Sequence, residues 1–129
     1  MINIQERMIG LFGNSCYAYC LSYMSGFRDL KTLTQFVLEH WMKGNIDNDG
    51  YVSQPQKIMN CKDVKKVPIN KIVDIPAEPT IIEMKCPSGG SHFIIGKRTA
   101  DTVNLVFDPA GISNSWKAQK FLSYRRFVK

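Results

Sequence analysis

Two periodicities divide the chain. In the first third, apolar positions recur every three or four residues, as in Leu30, Leu33, Val37 and Trp41, which predicts a helix over about 30–43 closed by Gly44. Thr32 with Gln35 resembles a capping box for it, and Asp29 can cap one turn earlier. Asn3 followed by Glu6 predicts a short helix over 4–12, broken by Gly13-Asn14. Another helix begins near Ser15-Cys16, with Asn14 or Ser15 as its cap, and stops at Gly26. The later chain is strand-like: Thr80–Cys86, Ser91–Arg98, Thr102–Phe107 and Phe121–Val128 are short, rich in β-branched and aromatic residues, and separated by turn signals. Residues 44–79 read as loop with a short helix near 55–59. Helices followed by an antiparallel sheet is an α+β order. We expect one domain over 1–129, with a helical half over 1–60 and a sheet half over 61–129.

Composition supports a packed domain. The 129 residues are 44% apolar, long enough to bury a core but too few for separate cofactor and substrate domains. The formal net charge of +6 is unevenly spread. Residues 1–60 hold five basic and five acidic groups, and residues 61–129 hold twelve and six. A basic half suits an anionic partner, nucleic acid or acidic protein, and equally a solvated lysine face. No apolar run approaches the ~20 residues that span a bilayer, and the first residues show no signal-peptide pattern. A cytoplasmic setting is the expectation, with Cys16, Cys20, Cys61 and Cys86 as reduced thiols.

Three residues stand out chemically. Cys16 follows a Gly-Asn-Ser turn at a helix start, where free N–H groups and the helix dipole favour a thiolate. Its position alone also suits a small buried apolar residue. Cys20, one turn on, reads as core packing. His92 opens an apolar strand after Gly89-Gly90-Ser91, at the sheet edge, where its ring can face a cleft. His40, late in a helix, suits a partly exposed residue interacting with the C-terminal dipole. Asp108 ends the strand over 102–107, ahead of Pro109. Counting inward from the Thr99–Asp101 loop, residue 92 pairs near 108, so the two become cross-strand neighbours. A carboxylate beside an imidazole fixes its tautomer and stabilises its charged form. Asp-Pro is also a common turn starter.

The segments Gly-Asn-Ser-Cys16, Ser-His92-Phe-Ile-Ile-Gly and Val-Phe-Asp108-Pro-Ala-Gly, in that order, resemble the papain-like cysteine peptidase fold. The likeness is closest to the double-glycine leader peptidases of bacteriocin exporters and their small relatives. It implies N-terminal helices packed on a small antiparallel sheet and a Cys16, His92, Asp108 triad acting on a peptide or isopeptide bond of a peptide or protein substrate. That family usually carries a Gln a few residues before the cysteine as oxyanion donor. Here Asn14, the Cys16 amide or the more distant Gln5 are the candidates. It usually carries Gly after the nucleophile, where this chain has Tyr17. No cofactor is implied. The alternative is a catalytically silent module of the same fold that holds an anionic partner.

Asn45, Asp47 and Asp49, with Gly50 and Val52, match the first eight positions of a calcium-binding EF-hand loop, but Gln56 stands where the closing bidentate glutamate belongs. A polar turn accounts for the same residues. The cysteine spacing does not make a zinc knuckle. Lys62, Lys65, Lys66 and Lys71 fall in the central loop region, and Arg125-Arg126 on the last strand, where neighbours point to opposite faces.

Overall fold

The computed structural model describes residues 15–85, 91–109 and 120–129. The helix expected over 4–12, the oxyanion candidates Gln5 and Asn14, Cys86 and the Gly89-Gly90 turn lie outside the described residues. The protein is α+β, with three helices and a five-stranded antiparallel sheet among the described residues. In chain order the elements are α1 (Cys16–Met24), α2 (Leu30–Met42), α3 (Pro55–Met59), β1 (Asp63–Pro68), a 3-10 turn (Ile72–Asp74), β2 (Thr80–Lys85), β3 (Ser91–Thr99), β4 (Thr102–Phe107) and β5 (Lys120–Val128). No helix among the described residues is long and apolar enough to cross a membrane.

Local chemistry sets the helix boundaries. Asp29, rather than Thr32, caps α2: its carboxylate accepts the Thr32 N–H at 3.0 Å and the Thr32 hydroxyl at 2.8 Å. These bonds hold the Asp29 carboxyl below its ordinary range. Pro55 opens α3, where its missing N–H costs nothing, and Asn60 in the left-handed region closes it. Of the two expected caps, Ser15 is the N-cap residue of α1, but its side chain makes no capping bond, and Asn14 lies outside the described residues. The Ser15 hydroxyl is buried, with no hydrogen-bond partner among the described residues.

The sheet order is β1-β5-β2-β3-β4. β5 comes last in the chain yet inserts between β1 and β2, so the sheet is complete only once the C-terminal strand is seated. β1 corrects the reading of residues 44–79 as loop. It is polar, with only Val64 and Val67 apolar, and pairs along its whole length with β5. Lys65 and Lys66 therefore lie on an edge strand, the position charged side chains commonly protect from further pairing.

Both sheet faces are covered. On one side α1 and α2 bring Ala18, Tyr19, Leu21, Leu33 and Val37 against Ile81 and Ile95. On the other, Ile69, Ile72 and Ile75 cover Ile82, Met84 and Ile94. Two-sided cover explains why Ile81-Ile82-Glu83-Met84 is a continuous buried run rather than an alternating one. α1 is itself buried through Ala18–Ser22, and the Tyr19 hydroxyl meets Thr34 at 3.0 Å.

The β3–β4 hairpin contains the irregularity that matters for the site. Gly96 pairs with Leu105, but Ile95 pairs with Phe107, so Val106 is an extra residue. Consecutive Val106 and Phe107 consequently both pack toward the helices, with Phe107 stacked on Tyr23 at 4.5 Å. Gly96 lets the strands close here: a Cβ added to it would lie 3.0 Å from Val103 Cγ1, 3.2 Å from Ile82 Cδ1 and 3.3 Å from the Asn104 carbonyl. Gly96→Ala should therefore cost about 1–3 kcal/mol of stability through overpacking. Urea denaturation checks this, and an unchanged midpoint would show that the strands have room to spare.

Candidate active site

Cys16 is the first residue of α1 and is partly exposed. The earliest intrahelical bond runs from the Tyr19 N–H to the Ser15 carbonyl, so the Cys16, Tyr17 and Ala18 amides stand in the first turn with no intrahelical acceptor. That is the donor-rich setting expected from the sequence. Cys20 lies one turn on and is fully buried. Burial, reinforced by Cys16 and Asp108, pushes its thiol well above the ordinary value, which fits core packing. Cys61 donates its thiol to the Asp63 carbonyl at 3.3 Å. It also lines a surface hollow of about 560 Å³ with Met59, Asn60, Lys62, Phe127 and Lys129. None of Cys16, His92 and Asp108 lines that hollow.

The structure brings His92 and Asp108 together: His92 Nε2 donates to Asp108 Oδ1 at 2.8 Å, with the side chains 13% and 4% exposed. The strand count that suggested their proximity needs one correction. The paired ladder ends at Ile95 and Phe107, with Val106 as the extra residue, so Asp108 lies just beyond the strand and meets His92 at the end of the hairpin.

Cys16 joins the same pair. Its thiol is close enough to act on the charge of the His92 ring. Burial alone would push His92 toward the neutral form, but the hydrogen bonds to Asp108 and Cys16 and the negative charge of both outweigh it. The imidazole pKa rises from 6.5 to about 10. All three residues picked from the sequence therefore converge, at the start of one helix and the end of one hairpin.

The other candidates go elsewhere. His40 is buried, not partly exposed: Phe36 packs on its ring, and Nδ1 meets the Asn45 side-chain amide at 3.0 Å. Burial and the neighbouring Lys43 push its pKa down. Asn45 is thus turned onto His40. Asp47 Oδ1 accepts the Asp49 and Tyr51 N–H groups, each at 2.9 Å, organising a tight turn bridged by Ile46 and Val52. Among the described residues, no group of three or more His, Cys, Asp or Glu side chains is gathered to hold a metal ion.

The sequence reading passed over Glu83. It is buried within β2 and held by Ser91, Ser123, Arg125 and Lys66. An acidic residue inside the apolar run Ile81–Met84 was the available signal. Lys66 and Arg125 turn onto Glu83, and strand alternation sends Lys65 and Arg126 to the opposite face, as expected for paired neighbours.

No family model, curated protein or solved structure matches the chain.

The raised His92 pKa has a stability consequence with a definite sign. The folded state holds its proton more tightly than the unfolded state. The resulting stabilisation is complete below about pH 6.5 and is lost as pH rises toward about 10. Urea unfolding across that window should show the wild type losing stability more steeply than His92→Gln, which has no such proton to lose. Parallel curves would show that the imidazolium is not preferentially held by the fold.

Proposed function

We propose that the chain is a cysteine hydrolase of papain-like fold acting on a peptide or isopeptide bond. The observation that carries this reading is the buried His92–Asp108 pair adjoining a thiol at a helix N-terminus. The family resemblance rests on the same three residues in the same chain order.

The chemistry follows from their arrangement. The Cys16 sulfur, deprotonated toward His92, attacks the carbonyl carbon and forms a C–S bond as the carbonyl π pair moves to oxygen. First-turn amides of α1, including that of Cys16, are the donors available for the developing oxyanion. His92 then gives its proton to the departing nitrogen, the C–N bond breaks, and the amine leaves with a thioester on Cys16. Water attacks the thioester while His92 takes its proton. Collapse of that adduct releases the carboxylic acid and regenerates the thiolate–imidazolium pair. Asp108 keeps Nε2–H fixed throughout, so Nδ1 points at the reacting atoms.

An electrophilic peptide probe supplied near neutral pH should label the wild type at Cys16, located by peptide mass spectrometry. Cys16→Ala should abolish the labelling, and Asp108→Asn should slow it by about a hundredfold or more. Equal labelling at Cys20 or Cys61 would overturn the assignment.

A further inference from the structure

Beside the Cys16–His92 pair lies a second polar cluster, centred on a buried carboxylate. Glu83, 8% exposed, accepts the Ser123 hydroxyl on Oε1 at 2.8 Å and the Ser91 hydroxyl on Oε2 at 2.9 Å. Arg125 Nη2 and Lys66 Nζ each lie 3.4 Å from Oε1. Arg125 also donates through Nη1 to the Ser123 hydroxyl at 2.7 Å. One carboxylate thus ties β1, β2, β3 and β5 together. Burial works against its charge, but the two hydroxyl bonds and the two cations outweigh that and keep it ionised.

The cluster reaches the reacting residues through their immediate neighbours. Tyr17 follows Cys16 and Phe93 follows His92, and their rings stack at 4.6 Å with planes 16° apart. The Arg125 guanidinium sits 5.5 Å from the centre of the Tyr17 ring and 5.3 Å from that of the Phe93 ring. On the other side of His92, Ser91 is held by Glu83. The helix start carrying the thiol and the strand start carrying the imidazole are therefore clamped by one ion-paired unit. Buried ion pairs add little net stability against apolar replacements, because desolvation offsets their attraction. What this one supplies is a fixed distance between two backbone elements.

We propose that Glu83 and Arg125 are positioning residues that set the Cys16–His92 geometry, acting through the Tyr17–Phe93 stack and through Ser91. This rests on the hydrolase reading above. It also assigns a role to Tyr17 at a position where the resembling family carries glycine: an aromatic side chain there gives the clamp something to hold.

The test is the rate at which iodoacetamide modifies Cys16, followed site by site with peptide mass spectrometry from acid to alkaline pH. His92→Ala marks the rate without a partner base. Glu83→Gln and Arg125→Lys keep size and, for Arg125, charge, but lose the ionised hub and the planar fork. Each should slow Cys16 modification at neutral pH by about tenfold or more and shift its pH profile toward that of His92→Ala, with Cys61 unaffected. Tyr17→Leu removes the stack and leaves Glu83 and Arg125 in place, and should slow the reaction in the same direction even if the other two variants fail to fold. Wild-type rates and pH profiles in folded variants, with only the melting temperature lowered, would overturn the proposal in favour of a structural role. If His92→Ala itself leaves the Cys16 rate unchanged, the hydrolase reading fails first and independently.

Discussion

Two largely buried side chains, one acidic and one basic, set the geometry on which the site depends. The 2.8 Å bond between His92 and Asp108 closes the open end of the β3–β4 hairpin. Neither charge is tolerable at that depth alone, since an unpaired buried ion costs several kcal/mol on the order of its desolvation penalty. Each therefore stabilises the other, and the extra residue Val106 lies just ahead of Asp108 at the end of the strand. Gly96, beside the bulge, allows the close approach of β4 that makes the shift possible.

The thiol completes that pair from a different part of the chain. α1 is buried over most of its length, so its position is fixed by packing between the sheet and α2, with little freedom to adjust. Its first residue is partly exposed, and its thiol acts on the charge of the His92 ring. Polar contacts at the seam between helix and sheet carry the remaining alignment. Glu83 and Arg125 form an ionic cluster that touches the neighbours of both reacting residues, so the seam contains two linked charge groups rather than one.

Much of this was legible in the sequence because strong local signals agreed with the tertiary structure. The periodic run Leu30, Leu33, Val37, Trp41 and the β-branched stretches at 80–85, 91–99 and 102–107 form the elements they predict. Cys16, His92 and Asp108 were visible because each sits at an element boundary, where turn residues mark it. Other features depended on partners distant in sequence. β1 carries two lysines and only two valines, three residues apart, so its strand character comes from the ladder that β5 supplies. His40 showed a helix-end pattern, yet Phe36 and Asn45 enclose it. Glu83 was hidden among isoleucines, and its four partners come from three other strands. The bulge at Val106 leaves no mark in composition, since an extra valine in a strand looks like any other.

The central claim is that the fold holds His92 as a buried imidazolium between a carboxylate and a thiol. Nuclear magnetic resonance of selectively labelled histidine measures this directly, because the ring nitrogen shifts report protonation at each pH. His92 should remain protonated through neutral pH and lose its proton only near pH 10. Asp108→Asn and Cys16→Ser should each lower that midpoint. A wild-type midpoint near the ordinary 6.5, unmoved by either substitution, would mean that the three residues do not act as one unit.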